Sequence, residues 1–414
     1  MESDRPTTQS PGGGLAGKLA IILFVVSLLS FVTESQLTQY VQTSVGYRQP
    51  FFLFYIVHSS FIVMFPLHLI YLVVVTKRPP SHFIAGIRQA LVNQLAPTPS
   101  RILDPVHTAP FPTRRLVKLV LMLTMGITAP ALLWFIAVSL SAISDVTALW
   151  NTNAFFAYIF TVKIFRLNWE SRKLAAVTAA TVGAAAVVYG GSTSEPSDTS
   201  DPQPQDNILA LALPSSPLLG DLLTLFASIG YGLYQVLYKK YVALPSDPEF
   251  ELVDEYDRLP IASQDVEDDA LEDTPLGPAS QDSVYPPPFG LYANFFTSAI
   301  GLCTLAVLWI PIPILHYLDM ERFKLPGNLF TIGIIACIAA TGVLFNGGLM
   351  ILLGIWGPII TSVGNLMTIV LVFISDIIWG GAVQTVTIWS AIGASIIVGA
   401  FGVLVYDMGK SARE

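Results

Sequence analysis

The sequence predicts an all-α membrane protein with ten transmembrane helices in two inverted five-helix repeats, and three observations lead there. The first is composition. The 414 residues are 53% hydrophobic and 12% charged, with mean hydropathy +0.62, whereas an average soluble domain carries roughly 25% charged residues. The second is length: ten apolar runs each approach the ~20 residues that a membrane-crossing helix needs. The third is the polar linker at 191–217, which divides those runs five and five. An odd number per half makes the second half enter the membrane in the opposite sense, the condition for an inverted repeat.

The elements follow in order. Residues 1–17, MESDRPTTQSPGGGLAG, form a polar cytosolic tail without the basic start, short apolar core and small-residue cleavage site of a secretory signal. The first run, 18–41, is therefore expected to be a retained span. Runs at 51–75, 115–139, 145–165 and 173–190 complete the first repeat, 18–190. Between them, 76–114 is basic and contains HFIAGIRQALVNQL, where Phe83, Ile84, Ile87, Leu91 and Leu95 recur at helical spacing beside Arg88. That pattern suits a helix lying in the membrane interface. The linker 191–217 is Ser/Pro/Asp-rich and expected outside the cytoplasm. The second repeat, 218–407, holds runs at 218–238, 290–311, 328–350, 358–379 and 385–406, and a tail at 408–414 follows. Its interruption at 243–288 has the low hydrophobicity and high charge of a disordered cytosolic loop.

Charge sets the orientation. Residues 244–288 hold thirteen acids and one base, so the net −8 conceals a segment of −12 and a remainder of +4. The acidity belongs to one loop and points to no nucleic-acid partner. With the amino terminus inside, eighteen of the 21 Lys and Arg fall in inside segments, leaving Arg48, Arg322 and Lys324 opposite. Short cytoplasmic loops accumulate such residues, so both termini are expected in the cytoplasm. An endomembrane location, vacuolar or Golgi, is the expectation, with the plasma membrane as the alternative. The two cysteines, Cys303 and Cys337, lie in apolar runs and exclude a disulfide framework or zinc cluster by arithmetic.

Several stretches resemble the drug/metabolite transporter superfamily of EamA type, and within it solute carrier family 35, subgroup F, with its thiamine-transporter-like members. They are YRQPFFLFYIVHSSF from Tyr47, GDLLTLFASIGYGLYQVLYKKYV from Gly220, and GPIITSVGNLMTIVLVFISDIIW from Gly357 followed by WSAIGASIIVGAFGVLVY. The resemblance spans the helices, not the loops. Its second stretch looks like the helix that opens the family's second repeat, and its third like the ninth helix, whose acidic residue is Asp376 here. What it implies is a secondary-active transporter moving a small organic solute by alternating access, without cofactor. The cargo across family 35 ranges from vitamins to nucleotide sugars.

A charge at the bilayer centre costs about 2.5–3.5 kcal/mol on insertion scales, so intramembrane polar residues are the candidates for solute contact. In the fourth span Thr147, Asn151, Tyr158 and Thr161 share a face. In the ninth, Thr361, Asn365, Thr368 and Asp376 do the same, and a shift of 214 residues lays Thr147 on Thr361 and Asn151 on Asn365. Both stripes read as a cavity lining or as helix–helix hydrogen bonding. Asn153 points away from Asn151, and Lys163 can snorkel to the headgroups. Glu34 and Asp376 are acids that could hold a cation or exchange a proton, or that stand at the water boundary. His58 is a proton site or a core histidine. Tyr231, Tyr234 and Gln235 could stack on and hydrogen-bond a ring, or simply pack; Asn294 and Asn346 are lesser candidates. Ala175, Ala179 and Gly183, with Ser395 and Gly399, follow small-residue spacing that brings helices, or two protomers of a homodimer, close.

No His-x-x-x-x-Asp, His-Glu-x-x-His or Gly-x-Gly-Asp motif occurs, so an enzyme is not expected. The partners expected are a small-molecule substrate, the lipid bilayer and a proton or other coupling ion. Intramembrane acids without obvious basic partners lean the substrate towards a cationic or aromatic metabolite such as thiamine. A nucleotide-sugar carrier of the same fold is the alternative, and a receptor or scaffold using the acidic loop comes third.

Overall fold

A computed structural model describes residues 13–43, 45–47, 49–95, 111–138, 149–192, 217–244, 284–371, 374 and 388–411. Thr147, Asp376, most of the 191–217 linker and most of the acidic segment at 243–288 lie outside the described residues. Among the described residues every regular element is helical. In order they are α1 (Gly13–Thr43), α2 (Pro50–Ser60), α3 (Met64–Thr76), α4 (Pro80–Leu95), α5 (Thr113–Val138), α6 (Asn153–Ile164), α7 (Ser171–Ser192), α8 (Pro217–Val242), α9 (Leu291–Val307), α10 (Pro311–Tyr317), α11 (Leu329–Asn365) and α12 (Ile388–Ser411). Among the described residues five stretches are long and apolar enough to cross a membrane: Lys18–Thr38, Pro50–Thr76, Thr113–Trp134, Leu291–Tyr317 and Leu329–Leu371. This is the make-up of a helical membrane protein.

Proline, glycine and caps punctuate the helices. Pro50 opens α2, where a missing N–H costs nothing. Pro66 cannot donate to Ile62, and just before it the run relaxes into a 3₁₀ turn, Phe61–Val63, that joins α2 to α3. Ser298 of α9 steadies this break, accepting from the Phe65 N–H at 2.7 Å and donating to the Phe61 carbonyl at 3.0 Å. Lys77 adopts φ 57° and ends α3. Asn328 caps α11, its side chain accepting from Thr331 N–H at 2.7 Å.

α11 contains the sharpest event in the fold. Straight, the 43 residues Leu329–Leu371 would reach ~65 Å at 1.5 Å per residue, about twice a ~30 Å hydrocarbon core. The chain instead reverses at Gly357, whose φ 75° and ψ 171° only glycine adopts readily. Contacts with α8 establish the reversal: Tyr234 donates to Met350 Sδ at 3.4 Å and Lys239 to the Gly354 carbonyl at 2.5 Å, yet Ser362 hydrogen-bonds Gln235, a turn back along α8. A straight helix would carry Ser362 ~12 Å beyond Gly354. Phe24 of α1 agrees, since its ring lies 5.3 Å from Trp356 and would also meet a Cβ at Gly364 at 2.9 Å. α11 is thus a hairpin with a first limb, 329–356, and a second limb, 358–371.

Three apolar clusters hold the bundle. One joins α4, α5, α8, α9 and the first limb through Phe83, Leu123, Tyr234, Phe296 and Leu353. A second joins α6, α7, the second limb and α12 through Tyr158, Val177, Val363 and Ile397. A third joins α1, α2 and the first limb through Val41, Leu53, Phe61 and Ile338. The helix expected to lie in the interface, α4, turns Phe83, Ile87 and Leu91 into the first cluster and leaves Ile84 and Arg88 exposed. Its apolar face meets protein rather than lipid, because Gly86 lets the Val284 backbone approach and Val284 N–H bonds the His82 carbonyl at 3.1 Å. Gly183 and Gly393 pack α7 against α12 backbone to backbone, while Ala175 and Ala179 line an outward groove with Leu174, Thr178 and Ile396.

Candidate functional site

α8 carries a buried aromatic and polar face inside the bundle. Tyr231, Tyr234 and Tyr238 recur at three- and four-residue spacing and are all buried. Around them runs an aromatic ladder: Trp134 to Trp150 at 6.5 Å, Trp150 stacked on Tyr231 at 5.0 Å, Tyr231 to Tyr234 at 6.1 Å and Tyr234 to Tyr238 at 6.1 Å. Small residues admit the rings and their neighbours. Gly126 of α5 faces the Tyr234 ring, and Gly232 lets α8 press on the α6 backbone, where a Cβ would stand 3.0 Å from the Asn153 carbonyl. Gln235, also buried, hydrogen-bonds Tyr231 and receives the Ser362 hydroxyl, which also faces the Pro358 carbonyl. Thr152 and Ser228 join α6 to α8 at 2.8 Å.

The second limb of α11 completes this face with groups that have no partner. Several threonines in these helices return their hydroxyls to the carbonyl four residues back, as Thr161 does to Ala157 at 2.7 Å and Thr224 to Gly220 at 2.9 Å, although Thr304 of α9 does not. For Thr361 that carbonyl belongs to Gly357, whose non-helical dihedrals turn it off the helix axis. The buried Thr361 Oγ1 is left without a hydrogen bond, and so is Asn365 Oδ1 one turn later. Buried polar atoms are nearly always paired. Two orphans at i, i+4 flank Ser362, the residue that meets Gln235 of α8, and together with the α8 rings they supply groups able to stack on a flat ring and hydrogen-bond its edge.

The other residues singled out in the sequence are distributed more widely. Asn151 is buried at the start of the α6 region, next to Trp150. Asn153 is buried too, its amide donating to the Trp150 carbonyl at 2.8 Å. Thr161 is buried, and Tyr158 turns into the second apolar cluster, where its hydroxyl lies 3.2 Å from both the Glu170 carbonyl and N–H and ties α6 to the start of α7. Thr368 is buried and bonded to the Asn365 carbonyl at 2.6 Å. Glu34 and His58 stand apart, where α1, α2 and the first limb meet: a Cβ on Gly342 would lie 2.9 Å from Glu34 Oε1, and the His58 ring lies tilted against Phe54 at 4.0 Å while Nδ1 bonds the Phe54 carbonyl at 3.1 Å. Asn294 pairs with His68 at 2.8 Å, Asn346 with the Gly342 carbonyl at 2.9 Å, and Lys163 is exposed.

Sequence reasoning passed over Trp150, Ser362 and Lys239. Lys239 is 1% exposed and caps the first limb through Gly354, a favourable place for a cation at a helix carboxyl end. Its signal was present, since 231, 235 and 239 fall on one helical face while Lys240 does not.

No family model matches the chain. The chain is 24% identical over 416 residues to the thiamine-repressible mitochondrial transport protein of Saccharomyces cerevisiae, covering 96% of this chain and 93% of that protein. A crystal structure of another protein matches with TM-score 0.50 at 11% identity, covering 93% of this chain and 96% of the other; that likeness concerns the fold alone.

Proposed function

We propose that this multi-pass membrane protein is a secondary-active transporter that moves a small organic solute by alternating access, through ten spans in two inverted repeats of the solute carrier family 35, subgroup F kind. The solute meets Tyr231, Tyr234 and Gln235 on α8 and Thr361 and Asn365 on the second limb. The observation that carries this is the pair of buried, unpartnered oxygens, Thr361 Oγ1 and Asn365 Oδ1, on the limb whose Ser362 meets Gln235 of α8. The similarity to a protein named as a mitochondrial transport protein supports a transport role in general, and the long apolar helices support the membrane setting. Stacking rings and uncharged amides favour a heteroaromatic solute, of which thiamine is an example. The Lys and Arg bias of the connecting segments supports cytoplasmic termini, and the carrier is read as an endomembrane one.

Uptake into proteoliposomes tests this with thiamine, nucleotide sugars, organic amines and amino acids. Gln235→Leu and Thr361→Val each remove a hydrogen bond worth about 0.5–1.5 kcal/mol, so KM should rise about two- to tenfold with the fold retained. Background uptake of every solute by folded protein overturns the proposal. A nucleotide-sugar carrier is the second reading, favoured by the buried ammonium of Lys239. Competition by nucleoside monophosphates, lost in Lys239→Gln, would select it.

A further inference from the structure

The seam between α1 and the first limb of α11 contains a carboxylate that the solute face does not use. The two helices pack through small residues in antiparallel register. A Cβ on Gly348 would run into Ser27 Oγ, Phe345 meets Phe31 at 4.7 Å, and a Cβ on Gly342 would lie 2.9 Å from Glu34 Oε1 and 2.6 Å from Val57 Cγ1 of α2. Glu34 therefore sits where three helices converge, on the edge of the apolar cluster of Leu53, Val57, Phe61 and Ile338. No hydrogen bond or ion pair reaches its carboxyl among the described residues.

The titratable groups on the neighbouring elements carry no fixed positive charge. On α2 they are Tyr55, whose hydroxyl bonds the Leu305 carbonyl at 3.3 Å, and His58, whose Nδ1 is taken by the Phe54 carbonyl. On the first limb only Cys337 titrates, and it is exposed. The other described acids lie near helix ends: Asp221 in the first turns of α8, Glu170 just before α7, Asp407 near the end of α12, Asp319 after α10 and paired with Arg322, and Glu321 on the Phe51 and Phe52 N–H groups at the start of α2.

We propose that Glu34 is the proton-coupling carboxylate of this carrier: neutral, it lets α1 close on Gly342, and ionised, it requires water or a cation in the seam and favours its opening. This rests on the transport reading. The physical ground is the cost of an uncompensated charge at membrane depth, which proton uptake removes. A ligand, here a proton, shifts a conformational equilibrium by its differential affinity for the two states. Gly342 supplies that difference, since its missing side chain is what allows the close contact.

The test measures, in proteoliposomes carrying an internal pH dye, pH-gradient-driven uptake, solute-triggered proton flux and gradient-free counterflow, with thiamine and the other solutes named above as probes. The expected result is proton flux on solute addition for the wild type. Glu34→Gln should lose both proton flux and gradient-driven accumulation but keep counterflow, and Glu34→Asp should restore proton flux in part. Unchanged proton coupling in Glu34→Gln overturns the proposal. So does wild-type solute flux that follows a sodium gradient with no proton movement. That wild-type measurement stays decisive if Glu34→Gln fails to fold. Absence of counterflow for every probe in the wild type removes the transport reading itself, a different result from counterflow without proton flux.

Discussion

The two ends of the bundle are closed by opposite means. At one end the 319–328 loop is fastened to the α1–α2 connection by directed hydrogen bonds. Glu321 accepts from the Phe51 and Phe52 N–H groups at 3.0 and 3.2 Å, Gln49 donates to the Arg322 carbonyl at 3.1 Å, and Tyr47 donates to the Lys324 carbonyl at 2.8 Å. At the other end α4 closes by area, burying Phe83, Ile87 and Leu91 against α5, α8 and α9. Its polar bonds, Gln94 to the Tyr241 carbonyl at 2.9 Å and Arg115 to the Leu95 carbonyl at 2.7 Å, trim an apolar contact. Burying a large apolar side chain is worth about 1.5–3 kcal/mol, whereas a net hydrogen bond is worth about 0.5–1.5 kcal/mol. The difference teaches that the Glu321 end is the one that opens at lower cost, and that its closure rests on a carboxylate. Burial pushes the Glu321 carboxyl above its ordinary range, with the Phe51 and Phe52 N–H groups pulling it back, and burial followed by the charge of Glu321 pushes Tyr47 up to about 12.

That contrast can be broken by mutation. Phe83→Ala should have the largest effect, about 3–5 kcal/mol of stability for an emptied aromatic site, read as a fall in Tm in detergent. Gly86→Ala places a Cβ against the Val284 backbone and should cost about 1–3 kcal/mol, with faster hydrogen exchange confined to α4. Glu321→Ala uncaps α2 and should cost about 0.5–2 kcal/mol, with faster exchange at Phe51 and Phe52 and none at α4. Equal effects of Glu321→Ala and Phe83→Ala on Tm would erase the distinction.

Smaller changes sharpen it. Tyr47→Phe removes one half-exposed hydrogen bond and should shift Tm least among the substitutions, about 0.5 kcal/mol or below. The pH dependence has a definite sign. A carboxyl raised on folding binds its proton more tightly in the folded state, so its stabilisation is full below the ordinary carboxylate range and is lost as pH rises through the folded value. Glu321→Gln should flatten that slope in Tm across mildly acidic pH, and an unaltered slope would assign the pH sensitivity elsewhere.

Much of this architecture was readable in the chain. The apolar runs marked most of the described helices, though not α10 or the break between α2 and α3, and the separation of 328–350 from 358–379 matches the reversal at Gly-Pro 357–358, which cannot continue a helix smoothly. The runs misplaced its edge, since helix persists to Trp356. For the site, α8's face of Tyr231, Tyr234 and Gln235 was legible as a helical stripe. Its partners were not: Ser362 looks like any small polar residue until the hairpin brings it to Gln235. Tyr158 shares a sequence stripe with Asn151, yet its hydroxyl is used at Glu170. Thr361 stood in the ninth-span polar stripe, but that its hydroxyl goes unpaired could not be read there, because this depends on the backbone dihedrals of Gly357.

By itself, then, the sequence determined that the chain is helical, apolar and punctuated where glycine, proline and capping residues stand, since those follow from local sterics and hydropathy. Tertiary structure decided which stripes face each other, that Glu34 lies over a glycine while Tyr231 lies under a tryptophan, and which polar atoms go unpaired. Periodicity fixes the angle at which a side chain leaves its own helix. It carries no information about which neighbour packs at that angle, and pairing, burial and charge compensation all depend on that neighbour.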